Sequence, residues 1–247
     1  MGKDIFTLPI CLRKPGDPGY PLSDDAVVTY FKETPCDNDS SLTVLWAISC
    51  FLTAAYTNML SSLQKLQEQC PDGADLRLLW HRYMEHQDYR DFRRDFFSGV
   101  ADDARKVNLF YLLVPFLICL QLRGNRPSQL SGTSPKRGFD GEPDRPYNSV
   151  AIARRYYEQG TMKATTDLME FIQSLSSDKQ PLCVTYFDEA HELGVSFWVM
   201  LRLLQAQDVS VGMWFVFMGT KSSISYYAPA PENCESFPSC CESSLNE

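Results

Sequence analysis

The chain has 247 residues, of which 44% are hydrophobic, so it is long enough to bury a sizeable core as one large domain or one and a half. Its 23 basic and 31 acidic residues give a formal net charge of −8. This balance excludes a general electrostatic attraction to nucleic acid or to an anionic membrane, although it leaves room for a local basic groove.

The nine cysteines do not form the pattern of a disulfide framework, because their number is odd and no Cys-x-x-Cys pair is present. Three of them lie within 234–241, where a zinc site is the alternative to a disordered tail. No secretory signal is recognisable at the amino terminus. We therefore predict a reduced intracellular protein, cytoplasmic or nuclear. Four other cysteines lie in apolar runs and are expected to pack as small hydrophobes: Cys11, Cys50, Cys119 and Cys183.

Residues 1–34 are predicted to form the first strand and helix of an α/β core. Residues 5–12 are apolar and read as a short strand, in which Pro9 indicates an edge position or a bulge. Ser23 precedes two acids and an apolar run, so it is expected to cap a short helix.

Residues 35–122 are predicted to be a helical block. The first helix carries apolar residues at alternating spacings of three and four between Leu42 and Leu66, which is typical of a long amphipathic helix. A second helix is expected from about Asp75. The apolar run 109–120 contains Pro115, where we expect a kink or the end of a helix. This run is shorter than the roughly 20 residues that a spanning helix needs, so no membrane span is predicted.

Arginine and aromatic residues alternate within 82–97, a pattern that can bind single-stranded nucleic acid. Because acidic residues are interleaved with them, a solvated helix face with ion pairs is the favoured interpretation. The arginines are Arg82, Arg90, Arg93 and Arg94.

The second half of the chain is predicted to contain a flexible loop at 123–148, rich in glycine, proline, serine and charge. Residues 149–228 follow as a second α/β part, and 229–247 as a disordered tail. Within residues 149–228, two buried strands are predicted at 182–187 and 211–218, with a helix between them. Short links in a strand-helix-strand unit favour parallel pairing.

Two adjacent acids, Asp188 and Glu189, follow the first of these buried strands. In open parallel sheets, ligands bind beyond the carboxyl ends of the strands. An acid at this position helps to hold Mg²⁺ in nucleotide-hydrolysing proteins. We expect Asp188 to bind the metal and Glu189 to orient and deprotonate the attacking water. Thr220, after the neighbouring strand, is expected to sense the terminal phosphate.

Other interpretations of these residues remain open. Acids at the start of a helix stabilise it by roughly 0.3–1 kcal/mol each without any ligand. His191 could relay the nucleotide state to a partner or be a capping or surface histidine. The sequence lacks a Gly-x-x-x-x-Gly-Lys-Ser/Thr loop, so Lys221 and its neighbours at 219–222 are expected to make at most a weak phosphate contact.

Four segments of the chain resemble a family of predicted P-loop nucleoside triphosphatases that is abundant in mushroom-forming fungi and related in places to Crinkler-type effector proteins. The resemblance implies an α/β fold with an AAA-like or STAND-like core. Its partial P-loop NTPase-like parallel sheet would have a large helical block inserted between the first and later strands. It also implies Mg²⁺ and ATP as cofactors, with Asp188 and Glu189 as the Walker B acids. The segments are FTLPICLR (6–13), GYPLSDDAVVTYF (19–31), YFDEAHEL (186–193) and WFVFMGTKSSISYYAP (214–229).

In that family the phosphate loop lies just upstream of the strand that matches 6–13, and this chain departs from the pattern there. The resemblance therefore implies a truncated or degenerate copy with little or no hydrolysis alone, and a full-length relative as a possible protein partner. A non-catalytic protein-interaction module is the alternative. A metal-dependent nuclease would want a lysine after Glu189, and a helicase is matched only by the letters DEAH.

Overall fold

The computed structural model describes residues 5–17, 21–34, 41–70, 75–124, 157–175, 182–205 and 212–219. The strands are β1 (Ile5–Cys11), β2 (Leu182–Asp188) and β3 (Met213–Phe217). The helices are α1 (Asp25–Glu33), α2 (Ser41–Gln69), α3 (Leu76–Glu85), α4 (Arg90–Gly124), α5 (Met162–Leu175) and α6 (Val195–Gln205).

In the described residues the three strands form a parallel sheet in the order β1-β2-β3, and the five helices α1 to α5 separate β1 from β2 along the chain. The mixed α/β class and the parallel pairing are therefore confirmed. The register between β1 and β2 runs without a break from Ile5–Leu182 to Cys11–Asp188, so Pro9 marks an edge strand and not a bulge.

One face of the sheet is the core of the protein. Alternate residues of the strands point to this face, as a period of two requires; those of β1 and β2 are buried, and Phe215 and Phe217 of β3 are partly buried. The Phe187 and Phe217 rings stack there with centroids 5.2 Å apart, and the edge of Phe197 from α6 meets Phe217. From α2, the Tyr56 hydroxyl lies 3.5 Å from Thr185 Oγ1. Helices α2 and α6 thus cover the same face.

Helix α2 lies at the centre of the helical layer, in contact with α4, α5 and α6. Within the described parts of the chain, Thr43–Gln69 is the one stretch that is long and apolar enough to cross a membrane. However, 72% of its most apolar window is buried inside the protein. This burial is what a core helix shows, and it follows from apolar residues on more than one side of α2.

The opposite face of the sheet is covered by α3 and α4 over β1 and β2. The Trp80 indole donates a 2.7 Å hydrogen bond to the Thr7 carbonyl, and the Tyr186 hydroxyl donates one of 2.6 Å to Glu85. Asp75 caps α3 by accepting from the amides of Arg77 and Leu78.

One local prediction is wrong, and another is narrowed. Ser23 does not cap α1: Asp24 occupies the N-cap position, and its carboxylate makes no cap bond because it is engaged elsewhere. Helix α4 continues through Pro115 to Gly124, so of the two alternatives for Pro115 the end of a helix is excluded, and the kink stays a prediction. The predicted loop beyond Gly124 and the tail at 229–247 lie outside the described residues.

Candidate functional site

Asp188 is the last residue of β2 and lies at the carboxyl edge of the sheet. Backbone hydrogen bonds continue past this point on both sides. The Leu12 amide donates to the Asp188 carbonyl at 2.9 Å, and the Ala190 amide donates to the Met218 carbonyl at 2.8 Å. The acid is therefore framed by the chain that leaves β1 on one side and by the end of β3 on the other.

Both carboxylate oxygens of Asp188 have partners within the chain. Oδ1 accepts the Glu189 amide at 3.1 Å. Oδ2 accepts the Cys11 thiol at 3.7 Å and lies 3.5 Å from a guanidinium nitrogen of Arg13. The side chains of Arg13 and Asp188 are only 18% and 20% exposed, so solvent screens this ion pair incompletely.

Cys11 contacts both Asp188, through its thiol, and a second acid, Asp24, through its backbone amide. Burial raises the pKa of the Cys11 thiol above its ordinary value, and the charges of Asp188 and Asp24 act in the same direction. The thiol therefore keeps its proton at neutral pH and can donate it to Asp188. The Cys11 backbone amide donates to Asp24 Oδ2 at 2.7 Å.

Asp24 forms a buried two-pronged ion pair with Arg93, through Nε–Oδ1 at 2.8 Å and Nη2–Oδ2 at 2.7 Å. Arg93 also donates to the carbonyls of Met84 and Pro9 at 2.6 and 3.1 Å. Burial acts to lower the pKa of Arg93, but the hydrogen bond to Asp24 and the negative charge of that carboxylate together raise it above its ordinary value. The guanidinium therefore stays charged and joins α4, α1 and β1.

The solvated ion-paired face that the sequence predicts for 82–97 is present at Arg94, which pairs with Asp91 and Asp95 on the surface. For Arg93 the prediction is wrong, since this arginine is buried. Little in the sequence indicates this, because an acid at the start of a helix, such as Asp24, is already explained by the helix dipole.

Glu189 adopts a left-handed backbone conformation with φ of 57°, which is uncommon for a residue other than glycine and is frequent at functional sites. Its buried carboxylate lies 3.1 Å from His191 Nδ1, and His191 Nε2 lies 3.2 Å from Glu192. The His191 side chain is only 13% exposed, which argues against a surface histidine. The second acid is thus paired with a histidine that stands between two carboxylates.

These residues, as they stand, do not fit a magnesium ion at Asp188. Mg²⁺ requires oxygen ligands in near-octahedral geometry and is commonly bound by one or two carboxylates together with water and phosphate oxygens. Here Arg13 already supplies positive charge to Asp188, and the His191 ring lies against the Glu189 carboxylate, with 3.1 Å between Nδ1 and Oε2. Among the described residues, no group of three or more His, Cys, Asp or Glu side chains is arranged to hold a metal ion.

Of the predicted site residues, the structure places Asp188 and Glu189 at the sheet edge, while Thr220 and Lys221 lie outside the described residues. Their roles toward nucleotide stay predictions. Comparisons with protein families, with curated proteins and with solved structures found no match to this chain.

Proposed function

We propose that this chain is a P-loop NTPase-like α/β domain that binds Mg-nucleotide weakly or not at all and does not hydrolyse it alone. The ion pair between Arg13 and Asp188 carries the proposal. This pair lies at the carboxyl edge of a parallel sheet, where ligands of such sheets bind. It engages Asp188, the acid that was expected to hold the metal.

Nucleotide hydrolysis requires more than an acid pair. Backbone amides and a lysine must cradle the phosphates, a metal must neutralise their charge, and a further group must orient the attacking water. The chain has no Gly-x-x-x-x-Gly-Lys-Ser/Thr loop to form the cradle. Glu189 is the candidate for orienting water, but its carboxylate lies 3.1 Å from His191 Nδ1.

The described cysteines, Cys11, Cys50, Cys70 and Cys183, are all free thiols. This agrees with a reducing intracellular compartment, and an intracellular location, cytoplasmic or nuclear, is part of the proposal.

We expect the purified chain to release no phosphate from Mg-ATP above the level of an Asp188→Ala/Glu189→Ala double variant. A ligand at 100 times its dissociation constant would stabilise the fold by about 2.7 kcal/mol, which would raise the melting temperature by several degrees. We therefore expect Mg-ATP to shift the melting temperature far less than this. The measurements are phosphate release and thermal unfolding with and without Mg-ATP. Phosphate release that Glu189→Gln abolishes would overturn the proposal.

A second candidate function, a protein-interaction module, is favoured by one feature of β3. Trp214 and Val216 on this strand and Met218 directly after it are spaced by two, and their side chains are exposed, Trp214 by 56%. They lie on the same face of the sheet as Tyr186, beyond the part that α3 and α4 cover. In the described residues β3 is also an edge strand. Tryptophan and methionine are enriched in protein interfaces.

We propose that the exposed side chains of Trp214, Val216 and Met218 bind a relative that carries a phosphate loop. Trp214→Ser should weaken binding to such a relative at least tenfold, because a buried interface tryptophan commonly contributes about 2 kcal/mol or more. Leu78→Ser on α3, where Leu78 is 60% exposed, is the matched control and should leave binding unchanged. The measurement is affinity by calorimetry. Equal effects of the two changes, or loss of binding in Asp188→Ala, would contradict this function.

A further inference from the structure

Arg13 is held beside Asp188 by the backbone and not by a chance surface contact. The β1 chain stays in register with β2 up to Cys11–Asp188, and the Leu12 amide still donates to the Asp188 carbonyl. Arg13 is the next residue. Its position at the end of the pairing brings the guanidinium to 3.5 Å from Asp188 Oδ2, with both side chains largely shielded from solvent.

A guanidinium at this position and a divalent cation exclude each other. Mg²⁺ binds carboxylate oxygens at about 2.0–2.1 Å, so an ion on Oδ2 would stand within a few ångströms of the Arg13 charge. Two cations so close repel strongly in a partly buried site. The other oxygen of Asp188 is already hydrogen-bonded to the Glu189 amide.

We propose that Arg13 serves as an internal cation at Asp188, in the place a metal ion would occupy, and that Arg13 and divalent cations compete for this carboxylate. The inference rests on the proposed function and adds how access of a metal ion to Asp188 is regulated. The Asp188 carboxylate becomes available to a metal only when the arginine is displaced. In this arrangement Asp188 is a positioning residue that holds the segment after β1 against the end of β2.

The test consists of two titrations of the full chain. Binding of Mn²⁺ is monitored by the electron paramagnetic resonance signal of the free ion, and binding of Mg²⁺ is measured by calorimetry. No nucleotide is added. Arg13→Gln should gain a saturable site at least tenfold tighter than any site in the original chain. Adding Asp188→Asn to Arg13→Gln should remove that site, because the ligand itself is then lost.

Lys14→Gln is the matched control. Lys14 neighbours Arg13 and its removal changes the net charge equally, but its amine pairs with Glu192 at 3.6 Å and not with Asp188. It should therefore not create the site. Arg13→Lys, which keeps the positive charge, should also bind the metal as weakly as the original chain.

A folded Arg13→Gln chain without a saturable site would overturn the inference, as would an equal gain in Lys14→Gln. Arg13→Met, which keeps an unbranched apolar side chain without the charge, provides the same test if the glutamine variant does not fold. Since nucleotide is absent, either failure leaves the proposal on ATP turnover untouched. Conversely, turnover by the original chain would refute that proposal without bearing on metal binding in Arg13→Gln.

Discussion

Replacing Arg93 by alanine is expected to lower the free energy of unfolding by about 3–5 kcal/mol. The change leaves the Asp24 carboxylate buried without its counter-ion, and breaking a buried pair on one side is strongly destabilising. It also removes the donor from the carbonyls of Met84 and Pro9. Urea unfolding at neutral pH measures the effect.

Arg94→Ala is the control at the adjacent position, because Arg94 is exposed and pairs only with surface acids. Its expected cost is below about 1 kcal/mol. The double variant Asp24→Asn/Arg93→Met should be more stable than Arg93→Met alone by about 0.5–3 kcal/mol. The asparagine oxygen still accepts the Cys11 amide, while the uncompensated charge is gone. Similar losses for Arg93→Ala and Arg94→Ala would show that the buried pair does not hold α1, α4 and β1 together.

Trp80→Ala is the second change with a large expected effect, again about 3–5 kcal/mol. The indole is fully buried and meets Phe92 and Phe96 edge-on, with centroids 6.4 and 5.6 Å away. Its removal leaves a cavity between α3, α4 and β1 and deprives the Thr7 carbonyl of its 2.7 Å hydrogen bond. The shift of the urea midpoint, at an unchanged slope, measures this loss.

Trp214→Ala provides the matched control, because it deletes the same side chain from an exposed position on β3. Its expected effect is within about 0.5 kcal/mol. Trp80→Phe should cost an intermediate amount, as it keeps most of the ring contact and loses the hydrogen bond. If both alanine variants unfold at the same urea concentration, the packing of α3 on β1 contributes nothing to stability.

Periodicity was sufficient to predict much of the fold. The spacing of apolar residues in α2 and the two apolar runs that became β2 and β3 identify these elements from short stretches of chain, because burial on one side imposes a period on local sequence. Helix starts were less certain. Ser23 was predicted to cap α1, but Asp24 stands at the N-cap, and its carboxylate bonds to Arg93, which is 69 residues away.

For the candidate site, the residue pattern alone was enough to put Asp188 and Glu189 after a buried strand, because that placement needs only the strand and its end. Tertiary structure decided what the two acids contact. Arg13 lies 3.5 Å from Asp188, and His191 lies 3.1 Å from Glu189. Neither contact has a signature in the spacing of apolar residues, since strand register brings Arg13 to Asp188 and the backbone turn at Glu189 brings that acid to His191. The contact between Arg13 and Asp188 joins residues far apart in the chain, whereas periodicity reports only on neighbours along it.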